Sequence, residues 1–226
     1  MLRAESSENE LECSTSQSRF NQVKIAVATG NLHKAEEIAG IVKQAGRNWD
    51  VVTASQWGGM PEVDESATDF AGNARLKAEA LRSKIVAKDV WVLADDSGLC
   101  VDVIQGAPGV HTARYAGLGA SDAENMTKLL NVLDGIGVAD RAAAFVCHLC
   151  MLGQDGLCFE AQGEVPGHIA EAARGTQGFG YDPIFIPDGF DETFAELGEE
   201  TKSNLSHRAH AVRMLLRVVT GQEGQA

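Results

Sequence analysis

The chain is short of positive charge. Its 19 lysines and arginines face 32 aspartates and glutamates, a formal net charge of −13. That excludes a nucleic-acid scaffold, because duplex binding needs a basic face. It leaves room for a nucleotide, since a few cations and a divalent metal can hold one triphosphate in an acidic protein. Long apolar runs are missing, and none approaches the ~20 residues of a membrane span. The opening stretch, Met1 to Glu10, lacks the apolar core of a secretion signal. Cysteine is scarce and odd in number, five, at positions 13, 100, 147, 150 and 158. This predicts reduced thiols and a cytoplasmic location rather than a disulfide framework. Cys147-His-Leu-Cys150 has the spacing of a metal pair, but no second pair exists. The alternation of Ala143–Leu152 reads instead as a strand with buried cysteines. Internal repeats and long linkers are also absent.

What is present reads as an α/β chain. Residues 1–20 are rich in Ser, Glu and Gln and are expected to form a disordered leader; residues 21–220 form one domain, and 221–226 a frayed tail. The β-branched run Val23–Ala28 predicts a first strand, and Thr29-Gly-Asn31 turns into a helix that Gly46 ends. A second helix is expected from about Asp69 to Ile85. Val90–Ala94 predicts a buried strand, with Ser97-Gly98 turning the chain and Leu99–Ile104 forming another. Ser121-Asp-Ala-Glu124 is a capping box that opens a helix through Leu133. Ala143–Leu152 and Leu157–Gly163 form a hairpin. Gly178–Pro183 is a rigid turn into Ile184–Ile186, and a last helix covers about Ser206–Thr220.

Five segments carry chemistry. Val90–Ala94 delivers Asp95 and Asp96 to its end, and adjacent strand residues point to opposite faces, so one carboxylate can face a cleft while the other faces structure. A strand-end carboxylate can hold Mg²⁺ or aim a water; Asp-Asp-Ser-Gly is equally ordinary turn chemistry. In Thr29-Gly30-Asn31-Leu-His-Lys34, Gly30 permits close backbone approach, the helix start favours anions and Lys34 adds charge. The Gly-Lys-Ser/Thr ending of a P-loop is missing, and a plain strand–helix turn with a solvated lysine accounts for the same string. Asn73 and Lys77 stand four apart on one helix face, which serves a ligand or merely water. Asp64 and Glu65, just upstream, can complete a metal site with Asp96, or form a solvated acidic loop. Near the C-terminus, Phe179 or Tyr181 can stack on a base. Asp182 can accept from it, and Lys202, His207 and Arg208 can donate. Basic residues opening a helix oppose its dipole, which a ligand would explain. Ala107–Tyr115 offers His111, Thr112 and Arg114 beside a Pro-Gly turn, either for a ligand or for holding the loop.

In this order, the segments resemble the inosine triphosphatase family of nucleoside-triphosphate pyrophosphatases. The matching strings are Ala28-Thr-Gly-Asn31 with Lys34, Phe70 with Asn73-Ala74 and Lys77-Ala78, Ala94–Leu99, Gly106–Gly109 with Ala113-Arg-Tyr115, Gly178–Pro183, and Lys202-Ser203 with Ser206-His-Arg208. The resemblance runs from about Val23 to Val219. It implies two lobes around a long mixed β-sheet with flanking helices and a central cleft, and a homodimer. It implies Mg²⁺-dependent hydrolysis of ITP, dITP and XTP to monophosphate and pyrophosphate, which removes deaminated purines from the nucleotide pool. By position, Asp96 is the base and a metal contact, with Asp64 and Glu65 at the metal. Thr29, Gly30, Asn31, Lys34, Lys77 and Ser97 hold the triphosphate, Lys34 and Lys77 also stabilising the leaving pyrophosphate, and Asn73 is a further substrate contact. Phe179, Gly180, Tyr181, Asp182, Lys202, His207 and Arg208 hold the base. A non-catalytic nucleotide sensor, or a phosphatase with Asp95 as nucleophile, are the rival readings. Many members carry Glu where this chain has Gly72, a poor helix former.

Overall fold

The computed structural model describes Phe20 and residues 23–221. Among them, six strands form one mixed sheet: β1 (Lys24–Ala28), β2 (Asp50–Thr53), β3 (Val90–Val101), β4 (Ala142–Leu152), β5 (Cys158–Ile169) and β6 (Phe185–Pro187), in the order β2-β1-β3-β4-β5-β6. β1 runs parallel to β2 and β3, and the remaining pairs are antiparallel. Five helices flank the sheet: α1 (Leu32–Gln44), α2 (Phe70–Lys84), α3 (Asp122–Val132), α4 (Phe194–Leu205) and α5 (His207–Thr220). No helix among the described residues is long and apolar enough to cross a membrane.

The core has three parts, and the period-two alternation of β3 divides two of them. Trp91 and Leu93 face α1 and α5, packing with Ile38, Ile41, Val212 and Leu215. Val90, Val92 and Ala94 face α2, packing with Ala74, Ala78 and Leu81. The third cluster lies at the far end of the long strands, where Leu99, Val101, Phe145 and Val165 meet Leu129, Phe185 and Phe194. β3, β4 and β5 therefore span both lobes.

Asp95-Asp-Ser-Gly98 is not a turn. β3 passes straight through it to Val101, so the separate strand expected over Leu99–Ile104 is its continuation, followed by a short 3-10 turn at Asp102–Ile104. What ends at Ala94 is the parallel ladder: Ala28 of β1 pairs with Ala94, and no β1 residue pairs beyond it. The antiparallel partner β4 carries on, with Leu149 opposite Asp95 and His148 opposite Asp96. Gly98 serves a close approach rather than a bend. A Cβ there would collide with Thr112 Oγ1 and the Gly109 carbonyl, which lie on the strand.

The helix caps follow the sequence. Asn31 caps α1, accepting from the His33 and Lys34 amides. Asp69 caps α2 by accepting from the Gly72 amide at 2.7 Å. Ser121 and Glu124 form the capping box of α3, and Ser206 accepts from the Ala209 amide at 3.1 Å to open α5. Gly72 has a packing reason, since a Cβ there would lie 2.5 Å from the Ala67 Cβ. The structure adds elements that apolar periodicity does not announce. β2 has only four residues, and α4 is kinked at Gly198, where φ is 80°. β5 runs six residues past the expected end at Gly163. The expected leader lies outside the described residues except for its last member. Phe20 is 3% exposed, packs against Trp49, Trp91 and Phe159, and accepts from Trp49 Nε1 at 2.8 Å through its carbonyl. Of the expected tail, Gly221 caps α5 with φ 67° and the rest lies outside the described residues.

Candidate active site

The register that pairs Ala28 with Ala94 sets the Thr29–Asn31 turn and the start of α1 beside Asp95. This is the carboxyl edge of parallel strands, where α/β sheets bind ligands. Alternation then sends the two aspartates to different helices, one to each face.

Asp95 shares a face with Leu93 and meets α1 and α5. Lys34 Nζ lies 2.5 Å from its Oδ1, and Arg208 Nε donates to its Oδ2 at 2.7 Å. The Ser97 hydroxyl donates to Oδ1 at 2.9 Å and the Cys147 thiol to Oδ2 at 3.3 Å. Burial pushes the Asp95 carboxyl up, but Arg208 and Lys34 outweigh it and hold it well below the usual carboxylate range. Asp96 shares a face with Ala94 and meets α2. Lys77 Nζ lies 2.6 Å from its Oδ1 and 3.1 Å from Glu65 Oε1. Its Oδ2 is buried without a partner among the described residues. Here burial wins over the lysine, and the Asp96 carboxyl is raised. Burial draws the Lys77 ammonium down, but Asp96 and Glu65 more than restore it. Two neighbouring carboxyls are thus pushed in opposite directions, the pattern that separates an ionised anchor from a base.

Arg208 is 1% exposed and tied on three sides: to Asp95, to Ser97 Oγ at 3.1 Å, and to Glu37 through Nη1. Its guanidinium thereby ties β3 to α1 and is enclosed by these partners. Glu37 also meets Lys202 Nζ at 3.4 Å, and Lys202 in turn lies 2.6 Å from Asp182 Oδ2 and 4.3 Å over the Phe179 ring. Asp182 accepts from the Phe179 amide at 2.8 Å; burial raises its carboxyl despite Lys202. The Phe179 ring stacks on His33 at 5.9 Å. Beside them lies a cavity of about 440 Å³ between α1 and α4, lined by His33, Glu37, Ile41, Phe179, Phe194 and Lys202. His207 is buried and stacks on Phe145 at 4.8 Å. Burial and then Arg208 hold its imidazole well below its ordinary value, so it is neutral, and its Nδ1 has no partner among the described residues.

Most of the residues singled out from sequence therefore meet, in two groups. Lys34, Lys77, Ser97 and Glu65 surround the Asp95 and Asp96 carboxylates; Phe179 and Lys202 line the cavity, with Asp182 paired to Lys202 behind it. Tyr181 does not stack on a ligand face: it is 2% exposed, in the distal core, and its hydroxyl donates to the Thr112 carbonyl at 3.1 Å. Asp64 is exposed, and Asp64, Glu65 and Asp96 do not converge within 4.8 Å of one another. Asn73 accepts from the Ala67 amide at 3.1 Å, and its Nδ2 is buried and unpartnered among the described residues. The Thr29 hydroxyl accepts from the Asn31 amide at 3.0 Å, Gly30 is exposed, and the Gly180 amide donates to Asp122 at 2.7 Å. Arg114 steadies Glu65 at 3.5 Å. Sequence reading missed Glu37, because an acid on a helix bearing Glu36 and Lys34 looks like ordinary surface. The Cys147/Cys150 pair divides across β4, one thiol in each face's core.

The all-oxygen donors at Asp96 and Glu65 fit a hard divalent cation: one buried carboxylate oxygen is unsatisfied, and an ammonium already bridges the two acids.

The sequence matches the Ham1 family over residues 25–218. The dITP/XTP pyrophosphatase of Opitutus terrae is 49% identical over 193 residues, covering 84% of this chain and 95% of that protein. The dITP/XTP pyrophosphatase of Listeria innocua is 45% identical over 192 residues, covering 85% and 92%. The structure of the Staphylococcus aureus Ham1 protein superposes with a TM-score of 0.76 at 38% identity, covering 88% of this chain and 100% of that one. The nucleoside-triphosphatase / dITP/XTP pyrophosphatase of Mycobacterium abscessus gives 0.70 at 36% identity, covering 87% and 100%.

Proposed function

The chain belongs to the Ham1 family, and from that premise we propose that it hydrolyses deaminated purine nucleoside triphosphates (ITP, dITP and XTP) to monophosphate and pyrophosphate. The observation that carries the catalytic part is geometric: on adjacent positions of one strand, Asp95 is enclosed by Lys34, Arg208, Ser97 and Cys147, while Asp96 meets Lys77 and keeps one buried oxygen unpartnered among the described residues. Asp96, its carboxyl made more basic by burial and one oxygen unpartnered among the described residues, is the base that takes a proton from the water attacking the α-phosphorus. Asp95, ionised and enclosed, holds Lys34 and Arg208 in place. Lys34 and Lys77 stabilise the charge that builds on the departing pyrophosphate. Thr29, Gly30 and Asn31 sit at the start of α1, beside the phosphates. Asp96 and Glu65 would hold Mg²⁺, which when bound would supply charge neutralisation on the phosphates.

The base lies in the cavity against Phe179 and Lys202, with Asp182 behind them fixing both the Lys202 ammonium and the Phe179 amide. An ammonium only donates. It suits a 6-keto oxygen and leaves the 6-amino group of adenine unpaired, which is the asymmetry that gives selectivity. A phosphatase using Asp95 as nucleophile is disfavoured, because the Asp95 side chain is 0% exposed and both oxygens are occupied. A homodimer and a cytoplasmic location belong to the same proposal; light scattering of the purified protein tests the first.

The decisive assay incubates ITP with Mg²⁺ and identifies the product. Pyrophosphate with IMP is the expected outcome. Inorganic phosphate with IDP, or no turnover, contradicts the reading.

A further inference from the structure

A second group of ligating side chains lies on the α2 side of the β4–β5 hairpin. Register sets Cys150 opposite Glu160 and Leu152 opposite Cys158, so the two cysteines are diagonal neighbours on one face. Their sulfurs are 3.5 Å apart, and Glu160 Oε1 is 3.9 Å from Cys158 Sγ. Among the described residues, this is the trio of His, Cys, Asp or Glu whose ligand atoms all lie within 4.8 Å of one another. A cation already sits at its mouth: Arg75 Nη2, from α2, lies 3.0 Å from Glu160 Oε1 and 3.5 Å from Cys158 Sγ.

These separations suit a metal. With zinc–sulfur bonds of about 2.3 Å and a zinc–carboxylate bond of about 2.1 Å, tetrahedral angles set the two sulfurs about 3.8 Å apart and sulfur and oxygen about 3.6 Å apart. We propose that Cys150, Cys158 and Glu160 form a binding site for a thiophilic divalent cation of the zinc and cadmium class, separate from the catalytic cleft, with Arg75 as the internal counter-ion that the metal displaces. Glu160 and Arg75 are 38% and 48% exposed at the side chain, which leaves an entry path and water for the fourth position. On leaving, Arg75 has a waiting partner in Glu79, whose Oε1 is 3.9 Å from its Nη1. Two thiolates and a carboxylate select a softer ion than Mg²⁺.

The test titrates reduced protein, under argon and with excess Mg²⁺, with Cd²⁺, following the ultraviolet thiolate-to-cadmium charge-transfer band. One equivalent should bind. Cys158→Ser should reduce the band and weaken binding at least about 10–100-fold, the range lost when even a ligand's orienting partner is removed. Glu160→Gln should weaken binding with the band retained, and Arg75→Ala should tighten it. Undiminished ITP turnover in Cys158→Ser verifies that the variant is folded. No band in the parent protein, or a band and affinity unchanged in Cys158→Ser, overturns the site. So does an air-oxidised protein that closes a Cys150–Cys158 disulfide while its reduced form takes up no Cd²⁺.

Discussion

Asp95 is enclosed by Lys34, Arg208, Ser97 and Cys147, whereas Asp96 meets Lys77 and keeps one oxygen unpartnered among the described residues. One peptide bond separates them, and the strand's alternation supplies the rest. At the residue scale, His207 offers a clean pH test. Its folded imidazole lies well below its ordinary value through burial and Arg208. Unfolded, it returns to about 6.5. Between those two values the unfolded chain binds a proton that the folded chain refuses, so stability falls as pH drops below about 6.5, by up to ~1.4 kcal/mol per unit. His207→Gln should lose less stability than the parent between about pH 7 and pH 5.5 in urea titrations. Equal losses would mean the histidine is not held neutral. Much at this scale was legible in the sequence. Twin carboxylates after an apolar run, Lys34 near a strand–helix turn and Lys77 at helical spacing from Asn73 all announce themselves. Glu37 and the enclosure of Arg208 were not legible, because both depend on α1 and α5 meeting across 171 residues.

At the element scale, α5 reaches Asp95 because it lies almost on β5. A Cβ on Gly163 would run into the His207 carbonyl and the Ala211 amide, which are backbone and cannot turn aside. Gly163→Ala should therefore push α5 outward, cost about 1–3 kcal/mol and lower Tm by at least ~2 °C. Gly137→Ala, where the nearest atom is 4.0 Å away, is the control. A Gly163→Ala protein that melts with the parent would show that the helix is not so seated. Helices with a cap and a clear apolar stripe were legible from sequence: α1, α2, α3 and α5. α4 was hidden by its Gly198 kink, and the path of β3 by a string with the chemistry of a turn. Asp-Asp-Ser-Gly runs straight because β4 pairs with it along its whole length and Gly98 receives the Thr112 loop.

At the scale of the molecule, the long strands β3, β4 and β5 carry two lobes, and the Asp95–Asp96 pair sits where the parallel half of the sheet stops. The segment before β1 belongs to this body at one point at least. Phe20→Ala removes a buried ring that touches three aromatic side chains and should cost about 3–5 kcal/mol in chemical denaturation. A loss below ~1 kcal/mol would show that Phe20 is not part of the core. Catalysis is judged most directly by a single substitution, Asp96→Asn, assayed for ITP turnover and for ITP binding side by side. The account predicts turnover reduced ~10²–10⁴-fold with the nucleotide still bound, because the base is lost while Lys34, Lys77 and the base-end groups remain. Turnover above about a tenth of the parent rate would contradict it.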